Sequence, residues 1–212
     1  MQDALPTLEP GEVTLLRGGD RGAVAALVAA ELRERDGLAR WVDARNHAST
    51  YALTGHGDRR RLLDRVRVAR AFTAHQHHAL VRQLVREVRR PTSLVVAPAV
   101  DDLYGDDDLL AAEAQRLREA SLSTLAALAD ARDLPVLVTA TDPDAVSEHA
   151  DRAIDVEETR FGRRFEGEDG ETTTAYWTRG GWQTTIPYWV DLVGRVEPEP
   201  DQPVPHLEEV LG

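Results

Sequence analysis

Apolar residues fall along this chain in short unbroken runs and in runs with helical spacing, and the two alternate. Glu12-Val13-Thr14-Leu15-Leu16 is a short apolar run that stops at Arg17-Gly18-Gly19-Asp20-Arg21-Gly22. Apolar residues then recur at helical spacing from Ala23 to Arg35, so the segment reads as strand, glycine turn and helix. Leu38 to Asp43 is a second strand after Gly37, and Val66 to Ala69 a short third one. Leu80, Val81, Leu84, Val85 and Val88 share one face of a helix whose other face carries Arg82, Arg86 and Arg89; Pro91 ends it. Leu94 to Ala97 and Pro135 to Thr139 are continuous apolar runs, as in parallel strands buried on both faces. Between them the Ala/Leu-rich stretch from about Asp107 to Asp130 predicts a long helix. This alternation predicts an α/β fold, mainly a parallel sheet between helices.

The character changes after residue 150. Thr, Gly and aromatic residues dominate through Arg160-Phe161-Gly162, Thr172 to Trp177, a Gly180-Gly181 turn and Trp182 to Trp189, a pattern that predicts antiparallel hairpins added to the sheet edge. Pro and acidic residues from Glu197 to Pro205 predict a solvated tail. The expected organisation is one domain over residues 1–196, with an αβα core at 11–150 and hairpins at 151–196, followed by an acidic, Pro-containing tail at 197–212. No internal repeat is present.

Charge narrows the chemistry. All 25 basic residues are arginine and lysine is absent, so any mechanism that needs a lysine is excluded. Cysteine is absent too, which removes disulfides, zinc–thiolate sites and cysteine nucleophiles. A net charge of −12 without lysine resembles the proteins of salt-accumulating archaea, while a GC-rich genome accounts for the Arg bias alone. No apolar run of membrane length and no basic, apolar leader occurs, so a cytoplasmic protein without a membrane partner is expected.

The glycine turn after the first strand is where a phosphate-binding loop would sit, its N–H groups and the helix N-terminus cradling phosphates. The pattern G-x-x-x-x-G-K-[ST] laid on this turn puts Arg17 at the first glycine, Gly22 at the second, Ala23 at the lysine and Val24 at the hydroxyl residue. The phosphate-binding ammonium and the metal-binding hydroxyl are both missing. Gly18, Gly19 and Gly22 could still offer N–H groups, with Arg17 or Arg21 as counter-charge; the preferred reading is a strand-to-helix connection that binds nothing.

The order Trp41-Val42-Asp43, Val66-Arg67-Val68-Ala69-Arg70-Ala71-Phe72, His75-Gln76-His77-His78, Leu94-Val95-Val96, a long helix, and Leu134 to Thr139 resembles the ATPase core of archaeal RadA and RadB recombinases, of the RecA/KaiC superfamily. The likeness covers roughly residues 11–160 and implies a RecA-like fold and a role near DNA recombination or repair. It also implies what has been lost. Arg45 stands where the family has its water-polarising glutamate, and Pro98 follows the strand that ends there in a metal-binding aspartate. Asp101 and Asp102 lie three and four residues beyond Pro98, too far to replace it. Phosphoryl transfer rests on positioning and charge stabilisation, so little of the apparatus remains. No catalytic residue, metal or cofactor is therefore expected, with ATP binding as the weaker alternative.

Two surfaces stand out. Residues 58–90 hold ten arginines against Asp58, Asp64 and Glu87, leaving the rest of the chain at −19. Arg59, Arg60, Arg61, Arg65, Arg67, Arg82, Arg86, Arg89 and Arg90 are the candidates for DNA binding, against ion pairing on solvated helix faces. Tyr176, Trp177, Trp182, Tyr188 and Trp189 are the candidate partner surface, against packing in the core. His75, His77 and His78 do not share one helix face and read as an ordinary helix start rather than a metal site. The expected protein is a non-catalytic accessory that binds a protein partner, for which a RadA-type recombinase is the candidate, through its C-terminal hairpins or an exposed strand edge. A heteromer or small homo-oligomer is the expected state. A DNA-binding or nucleotide-sensing protein using the arginines, and a residual ATPase, are the alternatives.

Overall fold

Three strands buried nearly throughout form the middle of the molecule: β1 (Val13–Arg17), β4 (Thr92–Ala97) and β5 (Val136–Val138). The computed structural model describes residues 5–48, 52, 53, 59–88, 91–106, 109–160, 162–167, 172–178 and 181–185, with backbone alone at 59, 60, 172–178 and 181–185. Both faces of the three strands are covered, so their sequences are continuous apolar runs instead of alternating ones. With β2 (Leu38–Ala44), β3 (Val66–Ala71) and β6 (Arg152–Thr159) they form a parallel sheet. β7 (Gly162–Gly167), β8 (Thr172–Thr178) and β9 (Gly181–Thr185) continue it in antiparallel fashion. The order is β3-β2-β4-β5-β1-β6-β7-β8-β9.

The antiparallel part begins one strand later than the sequence predicts. β6 enters parallel to β1, with Leu15 opposite Ala153 and Leu16 opposite Ile154. Residues 139–151, including the short helix α5 (Asp144–Ser147), return the chain to the starting end of the sheet before β6 begins. A link of that length is what a parallel crossover needs. Asp151 then anchors the start, its carboxylate accepting from Val13 N at 2.8 Å while its own N–H donates to Val13 O at 2.9 Å.

Helices cover both faces. α1 (Arg21–Glu34) and α2 (Arg59–Asp64) pack on one, where Ala23 to Ala29 and Leu32 meet Leu16, Trp41, Val96 and Ile154. α1 is apolar on nearly every side because Leu5 and Leu8 join the same core. α3 (Ala74–Glu87) and α4 (Ala111–Arg132) take the other face, with Val81, Leu84, Leu125 and Leu128 against Leu15, Val42, Val95 and Val138. Thr73 caps α3, accepting from Gln76 N at 3.2 Å, while the Gln76 side chain accepts from Phe72 N at 3.0 Å. α4 starts later than expected, because a 3-10 turn (Asp102–Gly105) and the extended Leu110 precede it. Asp133, at φ +50°, closes it in the left-handed conformation. Among the described residues no helix is long and apolar enough to cross a membrane.

Candidate functional site

In a sheet of this kind ligands sit at the carboxyl ends of the strands. At that rim the turn from β1 to α1 spans only Gly18-Gly19-Asp20, and Arg21 already opens the helix. Gly22 is thus the second helical residue rather than part of a loop. Gly18 is required: its φ is +67°, and a Cβ there would lie 2.6 Å from the Val156 carbonyl oxygen. Gly19 is closely covered by the Leu16 side chain. Ala23 and Val24, at the positions of the lysine and hydroxyl, are buried in the core.

The chain supplies its own anion to this helix. Asp20 is the N-cap of α1, its carboxylate accepting from Ala23 N at 2.8 Å. Arg163 of β7 reaches across and donates to both oxygens of Asp20, at 3.1 and 2.8 Å. Its guanidinium lies over Gly22, where a Cβ would come within 2.6 Å of it. Partial burial pushes the Asp20 carboxyl up, but the Arg163 hydrogen bond, the Ala23 N–H, the Arg163 charge and the Gly22 N–H outweigh it and hold its pKa below the usual value. Carboxylate and guanidinium thus cover the α1 N-terminus, the end of a helix that favours an anion. Arg17 turns away to Asp155 at 3.7 Å, and Arg21 is exposed at the helix start. Asp20→Ala is expected to lower stability by about 1 kcal/mol through the lost cap. Asp20→Asn keeps the cap, so urea midpoints of the two variants separate capping from the Arg163 pair.

The neighbouring carboxylates are engaged as well. Asp43, at the end of β2 and fully buried, accepts from Arg70 Nε and Ala48 N, each at 2.7 Å. Asp101 accepts from Thr141 N and Asp142 N, each at 2.7 Å, tying the turn after β4 to the loop after β5. Arg45 is held at φ +48° between Asp102, at 2.9 Å, and Asp106. Among the described residues no group of three or more His, Asp or Glu is arranged to hold a metal ion.

Behind this rim lies a polar network that sequence reasoning missed. Ser121 Oγ donates to Leu117 O at 2.9 Å, as a helical serine bonding back one turn must. It therefore accepts from its other two neighbours, Tyr104 Oη at 2.7 Å and His78 Nδ1 at 3.0 Å. Tyr104 Oη in turn accepts from His77 Nδ1 at 2.8 Å. This chain of donors fixes His77 as the Nδ1–H tautomer and leaves its buried Nε2 with no donor. Burial, then the His78 charge, lowers the His77 pKa to about 4, against an opposing pull from Asp43. Burial raises Tyr104 to about 12 despite the Ser121 hydrogen bond. His77 faces the core, while His75 is exposed beside Glu113 at 3.7 Å.

The arginines divide. Arg67, Arg82 and Arg86 are exposed on β3 and α3, and Arg61 is exposed on α2. Arg65 is partly buried and its guanidinium is engaged within the fold. Its Nε donates to Gly37 O at 2.7 Å and its terminal nitrogens to Leu32 O and Arg35 O, so it satisfies the carbonyls at the C-terminal end of α1. The side chains of Arg59 and Arg60, and Arg89 and Arg90 entirely, lie outside the described residues. So do Tyr188, Trp189, the predicted tail at 197–212, and the side chains of Tyr176, Trp177 and Trp182. The backbone register sets Trp177 of β8 opposite Trp182 of β9.

β3 is the other sheet edge, and among the described residues no strand pairs with its outer side. Val68 is 40% exposed and Phe72, just beyond the strand, 63%. Asp20 could have been found from its place before an apolar helix, but Arg163 lies 143 residues away with no local signal. None of the known protein families matches this chain, and no curated protein is similar enough to count as a relative.

Proposed function

We propose that this protein is a RecA-like domain that acts by binding, as a non-catalytic accessory in DNA recombination or repair with a RadA-type ATPase as its partner. The observation that carries the non-catalytic part is the Asp20–Arg163 pair on the α1 N-terminus, since a fixed carboxylate there repels a phosphate and uses the N–H it would need. The strand order supports the RecA-like part. β4 and β5 lie between β1 and β2, whereas in the Rossmann and flavodoxin-like orders β1 and β2 are neighbours. The β3 edge, which no strand pairs on its outer side among the described residues and where Val68 and Phe72 are exposed, supports recognition through an added strand.

Purified protein is expected to show no Mg²⁺-dependent ATP turnover above background. Turnover that disappears in Gly22→Val sinks the non-catalytic reading. Capture from a native high-salt extract is expected to return a RecA-type ATPase with the wild type and to lose it with Val68→Lys/Phe72→Asp. Recovery of metabolic enzymes alone removes the recombination link. The competing reading uses Arg67 of β3 and Arg82 and Arg86 of α3, each exposed, to hold DNA. Salt separates the two, because binding by several arginines weakens steeply as salt rises and an apolar strand interface does not.

A further inference from the structure

α4 covers the sheet with one side and shows the other to solvent. Leu122, Leu125 and Leu128 are buried, while Arg116, Ala120, Ser123, Ala127 and Asp130 are exposed. At 3.6 residues per turn these five fall within about a quarter of the helix circumference. A side of a helix that faces water is normally charged, and 29% of this chain is charged. Yet between Arg116 and Asp130 the outer side of α4 carries only Ala120, Ser123 and Ala127 over about 21 Å. Beside it a groove of about 460 Å³ runs between α4 and α3, lined by Thr124, Leu128 and Ala131 and by Val85 of α3, which is 43% exposed. Neither feature has a part in the reading above.

The charges at the two ends of this face are opposite and complementary to themselves. Among the described residues neither Arg116 nor Asp130 has an ion-pair partner; Arg116 donates from Nε only to Ala112 O, within its own helix. A two-fold axis beside Ser123 and Thr124 runs two copies of α4 antiparallel and sets Ala120 opposite Ala127 of the second copy. The same rotation brings Arg116 level with Asp130 of the second copy, within about 1.5 Å along the axis and on the same flank. The pair occurs twice. One operation thus matches the small residues in the middle and the charges at both ends.

We propose that this face joins two copies of the chain, paired antiparallel through α4 about that axis. Ala120 and Ala127 let the two helices approach to about 8 Å, the close end of helix packing. At that distance each α4 also lies along the other copy's groove, where Val85 and Leu128 lose their contact with water. α4 has 22 residues, hence a length of about 33 Å. A contact of that length and about two helices wide covers roughly 600 Å² of each copy and about 1,200 Å² in all, above the ~1,000 Å² that a specific interface needs. The pairing involves neither the Asp20–Arg163 pair nor the β3 edge.

Sedimentation velocity of the full chain tests this at about 0.15 M salt, where repulsion between two copies of charge −12 is screened beyond about 8 Å. The wild type is expected to dimerise. Arg116→Asp and Asp130→Arg each set like charges together twice, and each is expected to weaken association at least about tenfold. Arg116→Asp/Asp130→Arg restores the pairs in reverse and is expected to return to within about threefold of the wild type. Because the chain has no cysteine of its own, Ser123→Cys can be read alone. It is expected to link two chains at least about tenfold faster than Asp36→Cys, whose cysteine lies just beyond α1 on the opposite face of the sheet. A wild type that stays monomeric up to about 100 µM, above the micromolar affinity at which interfaces of standard size begin, overturns the proposal. So does a double variant no tighter than either single one, or a Ser123→Cys that links no faster than Asp36→Cys. A dimer that Val68→Lys/Phe72→Asp dissociates also overturns it, since the β3 edge is then the contact.

Discussion

Asp101→Ala is expected to lower the unfolding free energy by about 3 kcal/mol or more, because a hydrogen bond to a charged group contributes about 1.5–3 kcal/mol and this carboxylate accepts two. Asp101 is 8% exposed, and its oxygens take Thr141 N and Asp142 N at 2.7 Å each. Nothing else in that turn replaces them. Asn is nearly as damaging, since its amide nitrogen turns a donor toward one of the two N–H groups. The measurement is a urea transition for wild type, Asp101→Ala and Asp101→Asn. It bears on function as well as stability, because a magnesium ion held at Asp101 would contradict the reading that this carboxylate serves only to tie two loops together. Were Asp101 a ligand, its removal would leave stability little changed in the absence of metal, and Mg²⁺ would raise the melting temperature of the wild type alone. That pair of results would favour the ATPase alternative.

The parts of this fold that are legible in the sequence are those whose environment is uniform along an element. β4 and β5 are buried on both faces, so each is an unbroken apolar run; α3 is half buried, so Val81 and Leu84 recur at helical spacing. The sequence places β6 but does not orient it. Its burial falls on Ala153 and Ile154, and nothing in one strand records whether its neighbour runs with it or against it. Arg65 misleads because a run of arginines looks solvated until the fold brings α2 beside the end of α1. Of the α1 N-terminus the sequence shows one half: Asp20 stands directly before an apolar helix and reads as its cap. The Arg163 half is not legible, because Asp20 and Arg163 meet only through the sheet that sets β7 two strands from β1.

The second large effect concerns pH, and two buried groups pull it in opposite directions. Glu31 of α1 is 3% exposed, with Arg35 Nε at 2.5 Å. Burial pushes its pKa up to about 7; Arg35 opposes the rise, and Glu34 and Glu9 add to it. A carboxyl raised in this way favours the fold most when protonated, so its contribution is complete below about 4.5 and is lost as pH climbs to about 7. His77 behaves oppositely. Its pKa falls from 6.5 to about 4, so its contribution is complete above 6.5 and is lost as pH drops toward 4. Each shift corresponds to about 3 kcal/mol over its full range. Between pH 4.5 and 6.5 the two slopes, about 1.4 kcal/mol per pH unit each, cancel and leave the wild type nearly flat. Single variants unmask them. Glu31→Gln should lose stability steadily as pH falls from 6.5 to 4.5, while His77→Asn, whose amide can still donate to Tyr104, should gain it over the same interval. The lowered pKa of His78, set by burial and by Arg82 and His75, adds a smaller loss on the acid side in every variant. Urea midpoints at pH 4.5, 5.5, 6.5 and 7.5 decide the matter: parallel profiles for the two variants would mean that neither group holds its proton as its surroundings dictate.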